Sequence, residues 1–294
     1  MNKIIVLYGP TAVGKSKIAV ELAKMINGEI ISADSMQIYK NLDIGTAKIL
    51  PNEMDGIEHH LINIIEPNDE YTVANFCEDA INIINNIFAK GKIPIVVGGT
   101  GLYIKALTEG YDFGNTVKNV ELRQSFETMS NAELKEELLK VCPQIDIDFD
   151  NRKRVIRALE IANNGQIKDK KISIYDFVVF GICDDRQKIY ERINCRVDLM
   201  VKEGLLNEAK YLLNLNLSET NQCIKAIGYK ELFPYLRGED TLDNCINILK
   251  QKTRNYAKRQ ITFYNQFKNI KFVNYCGQKE TAKNILNIIR GNNE

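Results

Sequence analysis

The stretch of sequence that decides the fold is residues 4–16, which read IIVLYGPTAVGKS. Its first five residues form a short apolar, β-branched run, which is typical of a buried strand. Residues 9–16 fit the pattern G-x-x-x-x-G-K-[ST], in which backbone N–H groups turn inward around a phosphate at the start of a helix. Apolar residues then recur at helical spacing over residues 15–26. The stretch therefore predicts a strand, a phosphate-binding P-loop and a helix.

The same alternation of strands and helices continues along the first third of the chain. Residues 29–33 and 93–97 have the pattern of further buried strands, and residues 75–89 that of an amphipathic helix between them. Continuous apolar strands separated by helices predict an α/β fold, with a P-loop parallel sheet covered by helices. Ligands of such sheets bind beyond the carboxyl ends of the strands, so the candidate site lies there.

The character of the sequence changes at about residue 110. A capping box formed by Ser130 and Glu133 opens a charged helix, and a second helix is predicted over residues 152–163. Because no strand pattern occurs here, we expect a small all-helical insertion domain. The expected domains are a P-loop catalytic core of residues 1–111 and 176–294, and an insertion of residues 112–175.

The composition is that of a globular protein. Of the 294 residues, 45% are hydrophobic and 26% are charged, which excludes wholesale disorder. No apolar run approaches the ~20 residues of a membrane span. The apolar stretch at the start of the sequence is too short for a secretory signal. We therefore expect a cytoplasmic protein with no membrane partner. The seven cysteines have no C-x-x-C spacing, which argues against a zinc site or a disulfide framework.

The formal net charge of +1 hides an asymmetry between the two halves of the chain. Residues 1–150 contain 13 Lys and Arg against 22 Asp and Glu, a net charge of −9. Residues 151–294 contain 26 against 16, a net charge of +10. A basic half whose helices also carry Tyr and Phe is typical of proteins that bind a polyanion.

Two polar segments follow the predicted strands. Asp34 ends the second strand, and three roles stay open for it: a ligand of Mg²⁺, a general base near the phosphates, and the N-cap of the next turn. The third strand ends in GGTG, residues 98–101, without the carboxylate that most P-loop proteins use to hold Mg²⁺. This segment fits a close approach to a ligand, with Thr100 as its hydroxyl, and fits a tight strand-to-helix turn equally well.

Other charged segments remain ambiguous from residue type. Arg192 and Arg196 lie one helical turn apart, as do Arg254 and Lys258, so each pair shares a helix face. A solvated face and a phosphate contact are both open interpretations. The segment DIGTAK, residues 43–48, suggests no mechanism.

Nine segments, in this order, resemble the tRNA dimethylallyltransferase (tRNA isopentenyltransferase) family. They are GPTAVGKS, SADSMQIY, DIGTAK, HHLI, GGTGLY, RALE, GLLNEA, AIGYKEL and TRNYAKRQITF, and the resemblance covers about residues 4–268. It implies transfer of a dimethylallyl group from dimethylallyl diphosphate to N6 of the adenosine at position 37, in the anticodon loop of tRNA. The product would be N6-isopentenyladenosine, the cofactor Mg²⁺, and the enzyme a monomer.

The resemblance also implies roles for individual residues. Asp34 would be the general base at N6, Thr100 would hydrogen-bond near the same amine, and Arg196 would stabilise the departing diphosphate. Gln37 would pair with the adenine edge of an extruded nucleotide. The residues implied for the diphosphate are Gly9, Thr11, Ala12, Gly14, Lys15 and Ser16, with Ser16 also binding Mg²⁺. Those implied for tRNA are Asp34, Ser35, Met36, Gln37, Arg123, Lys153, Arg154, Arg157, Arg254 and Lys258.

Three other functions compete with this interpretation. A P-loop small-molecule kinase is disfavoured because no carboxylate follows residues 93–97. An RNA-binding protein without catalysis is disfavoured by the complete set of implied catalytic residues. An adenylate isopentenyltransferase is a closer rival, and the basic second half with its helical insertion favours a large RNA acceptor over a mononucleotide.

Overall fold

The protein divides into two compact units along the chain. One comprises Met1–Thr108 and Ser173–Glu294, and the other is Glu109–Ile172. Within the insertion expected from the sequence, residues 112–119, 146 and 164–174 lie outside the described residues. The computed structural model describes residues 3–111, 120–145, 147–163, 175–218, 220–267 and 269–291.

The first unit contains a six-stranded sheet in which all neighbouring strands are parallel. The strands are Lys3–Tyr8 (β1), Gly28–Ser32 (β2), His59–His60 (β3), Ile93–Gly98 (β4), Asp176–Cys183 (β5) and Lys271–Asn274 (β6). Their order in the sheet is β3-β2-β4-β1-β5-β6. This arrangement confirms the α/β fold with a parallel sheet.

The first unit also contains helices, which lie between and after these strands in the sequence. They are Lys15–Ile26 (α1), Val73–Ala89 (α2), Gly101–Thr108 (α3), Arg186–Glu203 (α7), Leu205–Asn214 (α8), Phe233–Leu236 (α9), Leu242–Thr262 (α10) and Gln278–Arg290 (α11). In the described part of the chain, no helix combines the length and the apolar character that a bilayer crossing requires.

The described residues of the second unit form helices and no strand. Its helices are Val120–Thr128 (α4), Asn131–Val141 (α5) and Arg152–Asn163 (α6). The capping box predicted for α5 is present, since Ser130 Oγ accepts from Glu133 N and the Glu133 carboxylate accepts from Ser130 N. Buried side chains from all three helices, such as Phe126, Leu138 and Leu159, form its hydrophobic core.

The register of the central strands brings their carboxyl ends together. β4 lies between β1 and β2, so that Val97 is level with both Leu7 and Ser32. Five of the six residues of β1 are buried, as a strand covered on both faces requires. The segments that follow these three strands, namely the P-loop, Asp34 and GGTG, therefore start at one edge of the sheet.

The structure differs from the sequence-based expectations mainly at the two edges of the sheet. Strands β3 and β6 were not predicted, and neither was α11. The helix that begins at Leu242 is α-helical to Thr262 and continues as a 3-10 helix to Gln266. Gly204 separates α7 from α8 with a φ of 108°.

Candidate active site

A cavity of about 970 Å³ lies at the carboxyl ends of these strands, within the first unit. This volume is in the range of small-molecule sites. Of the residues predicted from the sequence, Gly9, Thr100, Arg254 and Lys258 belong to this unit without lining the cavity. The predicted residues that line it are Thr11, Ala12, Gly14, Lys15, Ser16, Asp34, Ser35, Met36, Gln37 and Arg196. Those in the second unit are Arg123, Lys153, Arg154 and Arg157.

The P-loop presents the positive end of α1 to the cavity. Gly14 precedes the helix with a φ of 98°, a conformation that favours glycine, and no side chain caps the helix there. The Lys15 ammonium donates to the carbonyls of Gly9 and Pro10, both at 2.8 Å. Burial lowers the pKa of Lys15 to about 7; Asp34 opposes this shift and Arg196 adds to it. An anion in the loop would therefore find helix amides and a poorly solvated amine.

The two arginines predicted on one face of α7 both contact the P-loop, but differently. Arg192 Nε donates to Ala12 O at 2.9 Å, and Arg192 Nη2 pairs with Asp184 at 2.6 Å. Arg196 lies 3.5 Å from the Thr11 hydroxyl and lines the cavity. Arg192 thus holds the loop, whereas Arg196 adds positive charge to the site.

Asp34 and Thr100 are brought together by the ends of β2 and β4. Thr100 Oγ1 accepts from Ser35 N at 3.0 Å, and Asp34 Oδ1 accepts from Met36 N at 3.0 Å. Burial raises the pKa of Asp34, against the opposing effects of the Met36 amide and Lys15. The carboxylate therefore caps the following turn and at the same time lies in the cavity as a base of increased strength.

Gln37 is hydrogen-bonded within the protein. Its Oε1 accepts from Ser32 Oγ at 3.2 Å, and its Nε2 donates to the carbonyls of Thr46 and Ala47 at 3.3 and 3.4 Å. Pairing of this amide with an adenine edge would require these bonds to be exchanged.

The DIGTAK loop, for which the sequence suggested no mechanism, is held by a distant carboxylate. Glu208 on α8 accepts from the backbone N–H groups of Asp43, Ile44 and Gly45 at 2.7 to 2.9 Å, and from the Tyr229 hydroxyl at 2.6 Å. The loop also lines the cavity. Sequence reasoning missed Glu208 and Tyr229 because only the fold brings them to the loop.

Lys48 holds the other end of the same loop. Its ammonium, which is buried, donates to Asp43 Oδ1 at 2.7 Å and to Tyr39 O and Asn63 Oδ1 at 2.5 Å. Burial lowers the pKa of Lys48, while its partner Asp43 opposes that shift. Lys48 therefore stabilises the loop, and its ammonium is not free to bind substrate.

We expect Glu208→Ala to lower the free energy of unfolding by about 2 kcal/mol, because it leaves three loop amides without their acceptor. Urea titration of the folded protein measures the change. Glu191→Ala, at an exposed glutamate of α7, is the matched control and should leave stability nearly unchanged. Equal stabilities of the two variants would contradict the structural role of Glu208.

The basic residues predicted to contact tRNA differ in their partners. Lys258 is exposed, and Arg254 Nη1 donates to Asn194 Oδ1 at 2.6 Å. In the second unit, Lys153 and Arg154 are exposed on α6. Arg123 and Arg157 pair there with the buried carboxylate of Glu160, at 3.6 and 3.1 Å. The charges of Lys153, Arg154 and Lys258 are therefore accessible from solvent.

In the described part of the chain, two places could hold a cation. The Ser16 hydroxyl lines the cavity beside the P-loop, and the described residues offer it no side-chain hydrogen bond. The second is the cluster of Glu29, Glu58 and His60, away from the cavity. There, Lys90 and Lys92 already pair with Glu29 at 3.1 and 2.7 Å, which leaves little uncompensated negative charge. Ser16 is therefore the candidate metal ligand of the site.

Comparisons with known proteins match this architecture over nearly the whole chain. The family model "IPP transferase" matches residues 37–267, and the model "Isopentenyl transferase" matches residues 2–66. A tRNA dimethylallyltransferase of Acetivibrio thermocellus is 44% identical, over 93% of this chain and 92% of that protein. The chain belongs to the tRNA dimethylallyltransferase family. Together, the two family models cover all the candidate site residues named above.

Solved structures of such enzymes share the fold. The full-length tRNA isopentenylpyrophosphate transferase of Bacillus halodurans aligns with a TM-score of 0.77 and 40% identity, covering 99% of this chain and 97% of that one. A eukaryotic dimethylallyltransferase acting on tRNA aligns with a TM-score of 0.87 and 28% identity, covering 100% of this chain and 81% of that one. The P-loop and the parallel sheet are thus those of a tRNA dimethylallyltransferase.

Proposed function

We propose that the protein transfers the dimethylallyl group of dimethylallyl diphosphate to N6 of adenosine 37 in tRNA, giving N6-isopentenyladenosine. The observation that carries the proposal is the meeting, in one cavity, of a P-loop with the partly buried carboxylate of Asp34, whose neighbour Ser35 is hydrogen-bonded to Thr100. A phosphate site and a proton acceptor are the two groups that this transfer needs. Membership of the tRNA dimethylallyltransferase family supports the assignment.

On the acceptor side, Asp34 acts as the general base. The lone pair of an exocyclic adenine amine is delocalised into the ring, so the amine attacks well only as it loses a proton. N6 forms a bond to C1 of the dimethylallyl group, the C1–O bond breaks, and the N6 proton passes to the Asp34 carboxylate. The raised pKa of Asp34 suits this role, because a base is most effective when its pKa is near the working pH. Thr100 orients the same amine.

On the donor side, the P-loop stabilises the charge that develops on the departing diphosphate. The amides of residues 14–16, the Lys15 ammonium and the Arg196 guanidinium supply positive potential before the reaction begins. Ser16, whose hydroxyl has no side-chain hydrogen-bond partner among the described residues, would hold Mg²⁺. The ion would supply further charge neutralisation of the leaving group.

The tRNA is held by basic residues outside the cavity. Reaching Asp34 requires the target base to leave the stack of the anticodon loop, as other base-modifying enzymes require. Residues 34–37 would line the pocket of the extruded base. The residues proposed for phosphate or anticodon-loop contacts are Arg123, Lys153, Arg154, Arg157, Arg254 and Lys258. We further propose that the enzyme works in the cytoplasm as a monomer.

Incubation with labelled dimethylallyl diphosphate, unmodified tRNA and Mg²⁺, followed by nucleoside analysis, tests the proposal. We expect label in N6-isopentenyladenosine from tRNA and none with adenosine monophosphate as the acceptor. Label in the mononucleotide alone would instead indicate an adenylate isopentenyltransferase. ATP-dependent phosphorylation of a small molecule without prenyl transfer would indicate a kinase. Neither alternative is favoured by the family to which the chain belongs.

We expect Lys258→Ala to weaken tRNA binding and to reduce the slope of log affinity against log salt by about 1, because a phosphate contact that releases a counterion is lost. Filter binding over a series of salt concentrations measures both quantities. Lys279→Ala, at an exposed lysine of α11, is the matched control. A slope that is the same in both variants and in the unmodified protein would contradict the contact.

A further inference from the structure

A single buried amide, that of Gln260 on α10, joins the loop after β1 to the loop after β4. Its Oε1 accepts from Thr11 N at 2.8 Å, and its Nε2 donates to Gly99 O at 2.9 Å. The side chain is 4% exposed. Because the acceptor and the donor of the amide face different loops, both bonds exist only in one orientation of the side chain.

The space around Gln260 is built for this contact. A Cβ at Gly99 would lie 2.2 Å from Gln260 Nε2, so a larger residue at position 99 would displace the amide. The backbone of residue 260 is also fixed, since its carbonyl accepts from the Tyr8 hydroxyl at 2.7 Å. The Tyr256 hydroxyl lies 3.5 Å from the same Gly99 carbonyl. The Gln260 side chain, which we call the bridge, is therefore hydrogen-bonded to both loops, and its backbone is hydrogen-bonded to Tyr8.

The two loops that Gln260 joins carry the two halves of the proposed reaction. Thr11 lies in the P-loop, which would hold the diphosphate. Gly99 precedes Thr100, whose hydroxyl accepts from Ser35 N, next to Asp34. One side chain thus connects the phosphate loop to the loop that places the general base. No other described side chain hydrogen-bonds to the backbone of both loops.

We propose that Gln260 is a positioning residue that sets the distance between the prenyl donor and the acceptor amine. This inference rests on the proposed function. In-line transfer requires the attacking nitrogen and the electrophilic carbon to be held close together, and a misplacement of about 1 Å can cost on the order of 10²-fold in rate. Loss of the bridge therefore lowers kcat more than it changes the KM of either substrate.

The test compares Gln260→Glu with Gln260→Met at several pH values. A protonated glutamate accepts one hydrogen bond and donates another, as the amide does, whereas an ionised glutamate has no donor for Gly99 O. Methionine is similar in size to glutamine and has neither the donor nor the acceptor. We expect Q260M to lose about 10-fold or more in kcat at every pH, with the KM for tRNA and the donor changed less. Q260E should keep a larger kcat than Q260M at low pH and lose this advantage as the pH rises.

The pH comparison isolates the side chain at position 260. Among the described residues, the Tyr256 hydroxyl contacts this side chain and the Tyr8 hydroxyl contacts the carbonyl of residue 260; burial raises the pKa of both, so neither ionises in the assay range. The ionisations of Asp34 and Lys15 are common to all three proteins and cancel in the ratio of their kcat values. Thermal melting of each variant at each pH establishes that the protein measured is folded.

The outcomes separate this inference from the proposed function. If the unmodified protein makes no N6-isopentenyladenosine, the proposed function fails. If it does so and Q260M matches its kcat, Gln260 does not position the loops. Equal kcat of Q260E and Q260M at every pH, or an advantage of Q260E that does not change with pH, would also overturn the inference, because the donor to Gly99 would then have no role.

Discussion

Replacing Asp34 by asparagine should lower the kcat of prenyl transfer by roughly 10³-fold, within the range that removal of a general base produces. Asparagine has nearly the same size and keeps an Oδ1 that can accept from Met36 N, so the turn after β2 is preserved. What it loses is the ability to take the N6 proton. Single-turnover rates at saturating tRNA and donor, with tRNA affinity measured separately, give the two quantities.

The control for this substitution is Glu53→Gln, at a second carboxylate that lines the cavity. Glu53 already pairs with Lys17 at 3.0 Å, so it is not available to accept a proton from substrate. We expect a change of only a few-fold there. A turnover of Asp34→Asn within about 10-fold of the unmodified enzyme would refute the base assignment. The unmodified enzyme should also gain activity as the pH rises through the raised pKa of Asp34, and the variant should lose that dependence.

The centre of the fold could be predicted from the sequence because its signals are local. The apolar run of β1, the glycines of the P-loop and the helical spacing of α1 all lie within about two dozen residues. The edge strands carry no such signal. β3 consists of His59–His60 and becomes a strand only by pairing with Ile30 and Ile31, and β6 buries only Val273 of its four residues. Tertiary pairing decides these elements, and single-sequence patterns do not contain it.

The candidate site divides in the same way. Lys15 and Ser16 end the P-loop that follows β1, and Asp34 follows β2, where the chemistry of parallel sheets predicts ligands. Glu208 and Gln260 were missed, because their partners lie 163 and 249 residues away in the chain. One is a Glu on an amphipathic helix and the other a Gln between an Arg and an Ile. Neither local pattern indicates that the side chain hydrogen-bonds to a loop. The segments GLLNEA and YAKRQ did signal the family, and the structure supplies the physical reason for these two residues.

Replacing Lys15 by methionine should lower kcat/KM for dimethylallyl diphosphate by about 10² to 10³-fold, as removal of a preorganised group that stabilises developing charge does. Methionine fills a similar volume and carries no charge. Lys24→Met, at the far end of α1, is the matched control, because Lys24 pairs with Glu21 and Asp55 and lies outside the cavity. Equal kcat/KM in the two variants would remove Lys15 from the diphosphate site.

The pH dependence of donor binding gives a second measure of the same residue. Burial lowers the pKa of Lys15 to about 7 in the ligand-free protein, and a bound diphosphate favours the protonated amine, so binding takes up a proton above that pH. The Kd for the donor should therefore rise as the pH increases beyond about 7, by up to about 10-fold per pH unit. Lys15→Arg stays charged throughout, so its Kd should not show this rise. The ionisation of the donor itself affects both proteins equally, and identical pH profiles would show that Lys15 keeps its proton without the ligand.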